Sequence, residues 1–225
     1  MPVYLIAMPL VLFIGTLIGS YFPQKGWLAL LFGIFILISY EVIVYFVYVR
    51  KAWRNIEKLK LGYDGEVYVG QQLDEMRVNG WTILHDFDTG RGNIDHIIIA
   101  PQGVFILETK TISQLGEDER TIYYDCEKVW TDKRQIASPL KQAKAEAKYL
   151  ADYVNQKLTM NIYVRPIVTY SGWDYKYCGR QTLDECEVWV CQTKGLESVI
   201  NSRLRILRQE EMKRVYNFLA SENRV

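Results

Sequence analysis

The chain has 225 residues, 49% of them apolar, and a formal net charge of +1 at pH 7. Its charges are unevenly placed: residues 1–49 hold only Lys25 and Glu41, while the rest of the chain holds 26 Lys+Arg against 25 Asp+Glu. The division implies two solvents, lipid and water. It excludes a fully soluble protein, a long disordered polyelectrolyte and a nucleic-acid binder driven by bulk charge, since near-neutrality offers phosphate no global attraction.

Val3–Phe22 is free of charge over 20 residues, and Trp27–Val49 is interrupted only by Glu41 over 23. Each is long enough to cross a hydrocarbon core of about 30 Å as a helix, the form that closes its own backbone hydrogen bonds in lipid. Pro23-Gln24-Lys25-Gly26 has turn chemistry, so residues 1–49 read as a transmembrane helical hairpin. Tyr4, Tyr21, Trp27, Tyr45 and Tyr48 stand near the span ends, where amphipathic rings settle at the headgroups. A cleaved signal peptide is disfavoured because no basic segment precedes the first span and a second span follows at once. Glu41 reads as facing a helix neighbour, the alternative being an intramembrane functional site.

Residues 50–61 form a basic juxtamembrane linker with Arg50, Lys51, Arg54, Lys58 and Lys60, whereas the hairpin turn offers Lys25 alone. The positive-inside bias puts everything after residue 50, and both termini, on the cytoplasmic side of a plasma membrane. The same five cations are placed to hold anionic lipid headgroups, in addition to the bilayer contact of the spans. Cys126, Cys178, Cys186 and Cys191 form no C-x-x-C pair and, with two histidines in the chain, give little support to structural zinc. Reduced thiols are expected in a cytoplasmic domain.

Residues 62–225 read as one soluble domain. Asp64 is the expected cap of a helix carrying Glu66 in its first turn and Val69, Leu73 and Met76 along its buried stripe, ending at Asn79-Gly80. Strands are expected over Thr82–Asp88, Asn93–Ala100 and Gly103–Lys110, the first pair joined through Gly90-Arg91-Gly92 and the second through Pro101-Gln102. Ile94–Ala100, apolar except at Asp95 and His96, reads as a central strand covered on both faces. Residues 111–137 are polar and irregular, with a short strand near 122–130. Ser138 caps and Pro139 opens a helix whose stripe is Leu140, Ala143, Ala147, Leu150 and Val154. Strands near 163–170 and 187–192 and helices near 196–202 and 209–221 follow. Elements of both kinds alternate along a single sheet, so the domain is α/β with mixed strand directions.

Glu66, Asp95, Glu108 and Lys110 occupy positions where the pattern calls for apolar residues, and a buried charge needs a partner or a metal. If Pro101-Gln102 is a two-residue loop, paired positions sum to 203 and Asp95 stands opposite Glu108, with Cβ atoms about 4.5–5.5 Å apart. A bulge at Gly103 would shift the sum to 204 and turn Asp95 away. Two facing carboxylates call for a divalent cation. Lys110, two residues past Glu108, shares its face and could orient a water or stabilise charge on a phosphoryl oxygen. His96 points away from Asp95, as a core or supporting histidine.

The runs Gly62-Tyr63-Asp64-Gly65-Glu66, Gly92-Asn93-Ile94-Asp95-His96 and Gly103-Val104-Phe105-Ile106-Leu107-Glu108-Thr109-Lys110 resemble the nuclease-related domain (NERD), a branch of the PD-(D/E)XK nuclease superfamily. The resemblance is specific over residues 62–171 and rests on element order alone beyond them. It implies a restriction-endonuclease-like core with a mixed central sheet flanked by helices. It further implies that Asp95 and Glu108 are metal ligands, for Mg2+ or Mn2+, and that Lys110, Glu66 and the helical Gln142 are catalytic. Thr111 and Ser138-Pro139 stand where the family often has asparagine and Asn-Pro.

The function expected is a membrane-anchored, metal-dependent nuclease acting on DNA or RNA. Two other readings are a catalytically weak module of the same fold that binds nucleic acid or protein at the membrane, and a membrane sensor built on the hairpin. Arg91, Lys133, Arg134, Lys141, Lys144 and Lys148 are candidates for phosphate contact, although the last three suit a solvated helix face; Trp130 and Tyr149 are candidates for base stacking.

Overall fold

The computed structural model describes residues 26–90, 92–113, 120–136 and 139–223, and before these Phe13, Thr16, Leu17, Ser20 and Tyr21. The expected first span apart from those five residues, the turn at 23–25, Arg91 and Ser138 lie outside the described residues. The chain divides into two compact units, Met1–Leu59 and Lys60–Val225.

Helix α1 runs over 50 residues, Gly26–Glu75. It is the one helix among the described residues long and apolar enough to cross a membrane, and it includes the expected second span. Asp64 therefore caps nothing: it lies inside a helix that began at Gly26. The run from Arg50 to Leu61 is rich in Lys, Arg, Leu and Glu, all good helix formers, and contains neither glycine nor proline to end the helix. Met76–Asn79 then tightens into a 3-10 turn, and Gly80 stops it at φ 84°, a left-handed conformation that glycine adopts without a Cβ penalty.

In the second unit, β1 (Thr82–Asp88), β2 (Asn93–Ala100) and β3 (Gly103–Lys110) have the expected bounds. After β4 (Thr121–Tyr124) and β5 (Val129–Trp130) comes α2 (Pro139–Leu158), then β6 (Val164–Tyr170), β7 (Asp174–Tyr177) and β8 (Trp189–Val190). Helices α3 (Thr193–Asn201) and α4 (Gln209–Glu222) complete the unit. Among the described residues there are two sheets, not one. The larger has the order β1-β2-β3-β6-β8 and the smaller β5-β4-β7. In the larger, β1, β2 and β3 are antiparallel neighbours, while β6 runs parallel to β3 and β8 parallel to β6, so the directions are mixed as expected. The central strand is β3, with β2 beside it.

One face of the large sheet packs Ile83, Ile98, Phe105, Leu107 and Ile167 against Val69, Leu73 and Met76 of α1 and Leu196 and Ile200 of α3. The other packs Phe87, Ile94, Ile97, Val104 and Ile106 against the α2 stripe and against Met212, Val215 and Leu219 of α4. Strict alternation would keep Ile83 and Phe87 on one face. They lie on opposite faces because Asp86, between them, adopts φ 51°, a left-handed conformation uncommon outside glycine. Ile94 and Ile97 on β2 show the same break in phase.

Against the expectation of reduced thiols, Cys126 and Cys186 are joined in a disulfide with Cα atoms 4.9 Å apart, while Cys178 and Cys191 are free. Spacing along the chain could not predict this link, since folding brings together residues 60 positions apart.

Candidate active site

The turn at Pro101-Gln102 pairs Ala100 with Gly103, and the same register holds through His96 with Leu107. This is the odd register that the paired-carboxylate arrangement requires. The ladder stops there, one step short of Asp95 and Glu108. In its place the backbone N–H of Thr109 donates to Asp95 Oδ2 at 2.7 Å. Asp95 and Glu108 thus lie side by side near the ends of adjacent strands, and Asp95 feels the charge of Glu108. Burial, then Glu108, pushes the Asp95 carboxyl up to about 7, although the Thr109 N–H opposes the shift.

Glu108 is buried, with 2% of its surface exposed. Lys110 Nζ donates to Glu108 Oε1 and, at 3.0 Å, to Gln142 Oε1. The amide nitrogen of Gln142 donates to the same Glu108 Oε1 at 2.7 Å and to Glu146 Oε1 at 2.9 Å. The Gln142 amide therefore has its oxygen on the ammonium and its nitrogen on two carboxylates, the orientation that satisfies all three. Lys110 and Glu108 share a strand face two residues apart, and α2, opened by Pro139, aims Gln142 at them.

Glu66, on α1, lies within electrostatic reach of the cluster. Its carboxyl is raised by burial, then by Asp86 and Glu108, with Lys110 acting in the opposite sense. Five residues singled out from the sequence therefore form one neighbourhood: Glu108, Lys110 and Gln142 in direct contact, Asp95 and Glu66 through their charges.

Two acidic residues escaped the sequence reading. Glu146 is raised to about 7, chiefly by burial; its bond from Gln142 lowers it, and the charge of Glu108 raises it. Its signal was its place one helical turn after Gln142. Asp86 stands opposite Asp95 in the β1–β2 register, between the pairs His85 with His96 and Phe87 with Ile94. Only that register reveals it.

Glu108 Oε2 and Glu146 Oε2 are buried and have no hydrogen-bond partner among the described residues. Two such oxygens beside each other require a proton or a cation. Among the described residues no three His, Cys, Asp or Glu side chains converge as a ready ligand set.

His96 belongs to the other face. It is 4% exposed, and its Nδ1 lies 2.9 Å from His85 Nδ1, with His85 Nε2 3.1 Å from Asp74 Oδ1. Burial lowers the His96 imidazole to about 3, so the ring is neutral and structural at physiological pH. Of the cationic set, Lys141, Lys144 and Lys148 are exposed on α2, and Lys144 pairs with Glu187. Trp130 stacks on Tyr123, with ring centroids 6.2 Å apart and planes 15° from parallel, and Tyr149 stacks on Tyr153.

Residues 61–171 match the family model of the nuclease-related domain, NERD. The matched segment contains all seven residues of this neighbourhood, from Glu66 to Glu146, and the match supports the NERD family and a nuclease-related function. The mixed sheet with helices on both faces fits such a domain. Comparison with curated proteins and with solved structures found no match.

Proposed function

We propose that this NERD-type chain is a membrane-anchored, metal-dependent nuclease that hydrolyses phosphodiester bonds in DNA or RNA on the cytoplasmic side of a plasma membrane. The observation that carries the reading is the Lys110–Glu108–Gln142 network with Asp95 at its side, inside the segment that matches the nuclease-related domain. The donor set suits a hard cation. Mg2+ takes oxygen ligands, keeps several waters and needs only one or two carboxylates from the protein, so a site without three converging side chains among the described residues suits it. Asp95 and Glu108 would hold it, as Mg2+ or Mn2+, and Glu66 adds a carboxylate for the same ion or a second one.

A cation bound there supplies charge neutralisation at the scissile phosphate and a water of lowered pKa. The chain's own groups do the rest. Lys110, its ammonium fixed between Glu108 and the Gln142 oxygen, orients the attacking water and stabilises the charge that builds on the phosphoryl oxygens as the new P–O bond forms and the ester P–O bond breaks. Gln142 prevents Lys110 and Glu108 from collapsing into an isolated ion pair by giving each a second, neutral partner.

Membrane anchorage rests on α1 and on the charge-free run before it; the two-span hairpin with both termini inside is its finer form. The cations at Arg50, Lys51, Arg54, Lys58 and Lys60 support the cytoplasmic orientation and contact with anionic headgroups. Disulfides persist mainly in oxidising compartments, so in the cytoplasm the Cys126–Cys186 bond is a reducible link.

The test is to incubate the full chain, in lipid discs, with labelled single- and double-stranded DNA and RNA in Mg2+, Mn2+ or EDTA, beside Asp95→Ala and Lys110→Ala. Cation-dependent cleavage lost in both variants is expected. Binding without cleavage above the variants, with folding intact, would overturn the enzyme in favour of a tethered binding module.

A further inference from the structure

The stretch from Arg50 to Leu61 is helical although every residue in it is exposed. Most helical stability in proteins comes from packing one apolar face. Here one face is built for packing. Val42, Tyr45, Val49, Ala52, Ile56 and Leu59 recur at alternating intervals of three and four along α1. That is a 3.5-residue repeat, the seam of a left-handed coiled coil, with Val42, Val49 and Ile56 at a and Tyr45, Ala52 and Leu59 at d. Tyr45, Ile56 and Leu59 are 66%, 56% and 75% exposed.

The charges keep off this seam. Arg50, Lys51, Arg54, Glu57 and Lys58 fall at b, c and f and Lys60 at e beside the seam, so no charge occupies an a or d position where two copies meet. The repeat also runs unbroken from the apolar part of α1 into its charged part. Lipid can cover Val42 and Tyr45 but not Ile56 and Leu59 if those stand in water. A helix covering the whole seam must itself leave the membrane at the same depth and in the same direction. Chains inserted in one orientation meet that condition; the a positions are all β-branched, as in parallel two-stranded coils, while of the d positions only Leu59 is leucine.

We propose that this face of α1 is the interface of a parallel homodimer, in which the seam from Val42 to Leu59 packs against the same seam of a second copy. The basic side chains at b, c and f stay on the outside, available to headgroups.

The test uses the full chain in lipid discs and in native membranes, in a Cys178→Ser background, with single cysteines placed through α1. Oxidative cross-linking at positions 56 and 59 should exceed that at the off-seam positions 54, 57 and 58 by at least tenfold, and photobleaching at low protein-to-lipid ratio should show two steps. Ile56→Glu/Leu59→Glu should return single-step bleaching with the helical circular dichroism retained. Cross-linking without the 3.5-residue period, or single-step bleaching of the wild-type chain, would overturn the proposal. So would quenching of Trp53 by brominated lipid that Ile56→Glu/Leu59→Glu abolishes, since that would give the face to the bilayer; cross-links from the seam to residues 3–22 of the same chain would give it to the first span.

Discussion

The backbone N–H of Thr109 is bonded to the carboxylate of Asp95, just past the last ladder pair of β2 and β3, and the bond fixes Asp95 beside Glu108. Both Asp95 and Glu146 titrate near 7 in the fold, against 3.8 and 4.5 for the free groups. A raised carboxyl means that the native state keeps a proton which the unfolded chain has already lost. Stability must then fall as pH rises from about 4 to about 7. Thermal unfolding of cation-free protein, followed by tryptophan fluorescence, should show a midpoint several degrees lower at pH 8 than at pH 5. Asp95→Asn should flatten this slope, and Mg2+ should recover more at pH 8 than at pH 5. A midpoint that is flat between these values in the wild type would count against the paired carboxylates.

Gln142 makes three hydrogen bonds to groups of opposite need, to Lys110, Glu108 and Glu146. Gln142→Ala should lower cleavage about 10- to 100-fold, the usual cost of losing a residue that orients a charged site. It should also cost about 1–3 kcal/mol in urea unfolding, because Glu108 is buried and loses a donor. Gln142→Glu should be less stable still without cation, setting a third carboxylate against Glu108 and Glu146, and should gain more from Mg2+ than the wild type. Equal unfolding midpoints for all three proteins would remove Gln142 from the network.

The large strands were legible from the sequence to the residue, since β1, β2 and β3 are long, strongly patterned and bounded by Gly80-Trp81, Gly90–Gly92 and Pro101-Gln102. The two-residue loop admits the odd register, and the Ala100–Gly103 pairing decides it over a bulge at Gly103. What stayed hidden had no local signal. Strand β7 spans four residues, and β8 only two of the six expected; both are held by parallel pairing with distant partners. Asp86 was lost because a left-handed residue in mid-strand inverts the alternation on which face assignments depend. Asp64 reads as a cap because its residue type is right, and only the helix formers upstream show that no helix needs to start there.

Gly65 marks the close approach of α1 to the end of β3. A Cβ at this position would lie 2.2 Å from Thr111 Cγ2, closer than side chains can pack. Gly65→Ala gains about 1 kcal/mol in helix propensity but loses about 1–3 kcal/mol to overpacking against a stiff β-branched neighbour. The net effect should be a loss in the wild-type background. With Thr111→Ser, which removes Cγ2 and keeps the hydroxyl, the same substitution should become neutral or stabilising by up to about 1 kcal/mol. Denaturant midpoints of the four proteins give the sign directly, and a Gly65→Ala penalty that persists with Thr111→Ser would place the constraint elsewhere.

The four cysteines allow orientation and redox state to be measured together. Cys178 is an exposed free thiol, Cys191 is pushed up to about 12 by burial and reacts slowly, and Cys126 and Cys186 are bonded. If the second unit faces the cytoplasm, a membrane-impermeant maleimide should leave Cys178 unlabelled in intact cells and label it after lysis. Denaturing alkylation of protein quenched in living cells should then find four thiols, and of protein purified in air only two. Closing the link should stabilise the second unit by about 4 kcal/mol on chain-entropy grounds, as it spans 60 residues. The Cys126→Ser/Cys186→Ser variant should unfold at the lower midpoint of the reduced protein, with no further response to reductant. Labelling of Cys178 in intact cells, together with two thiols in the living sample, would instead put the domain on the oxidising side and reverse the orientation read from Arg50, Lys51, Arg54, Lys58 and Lys60.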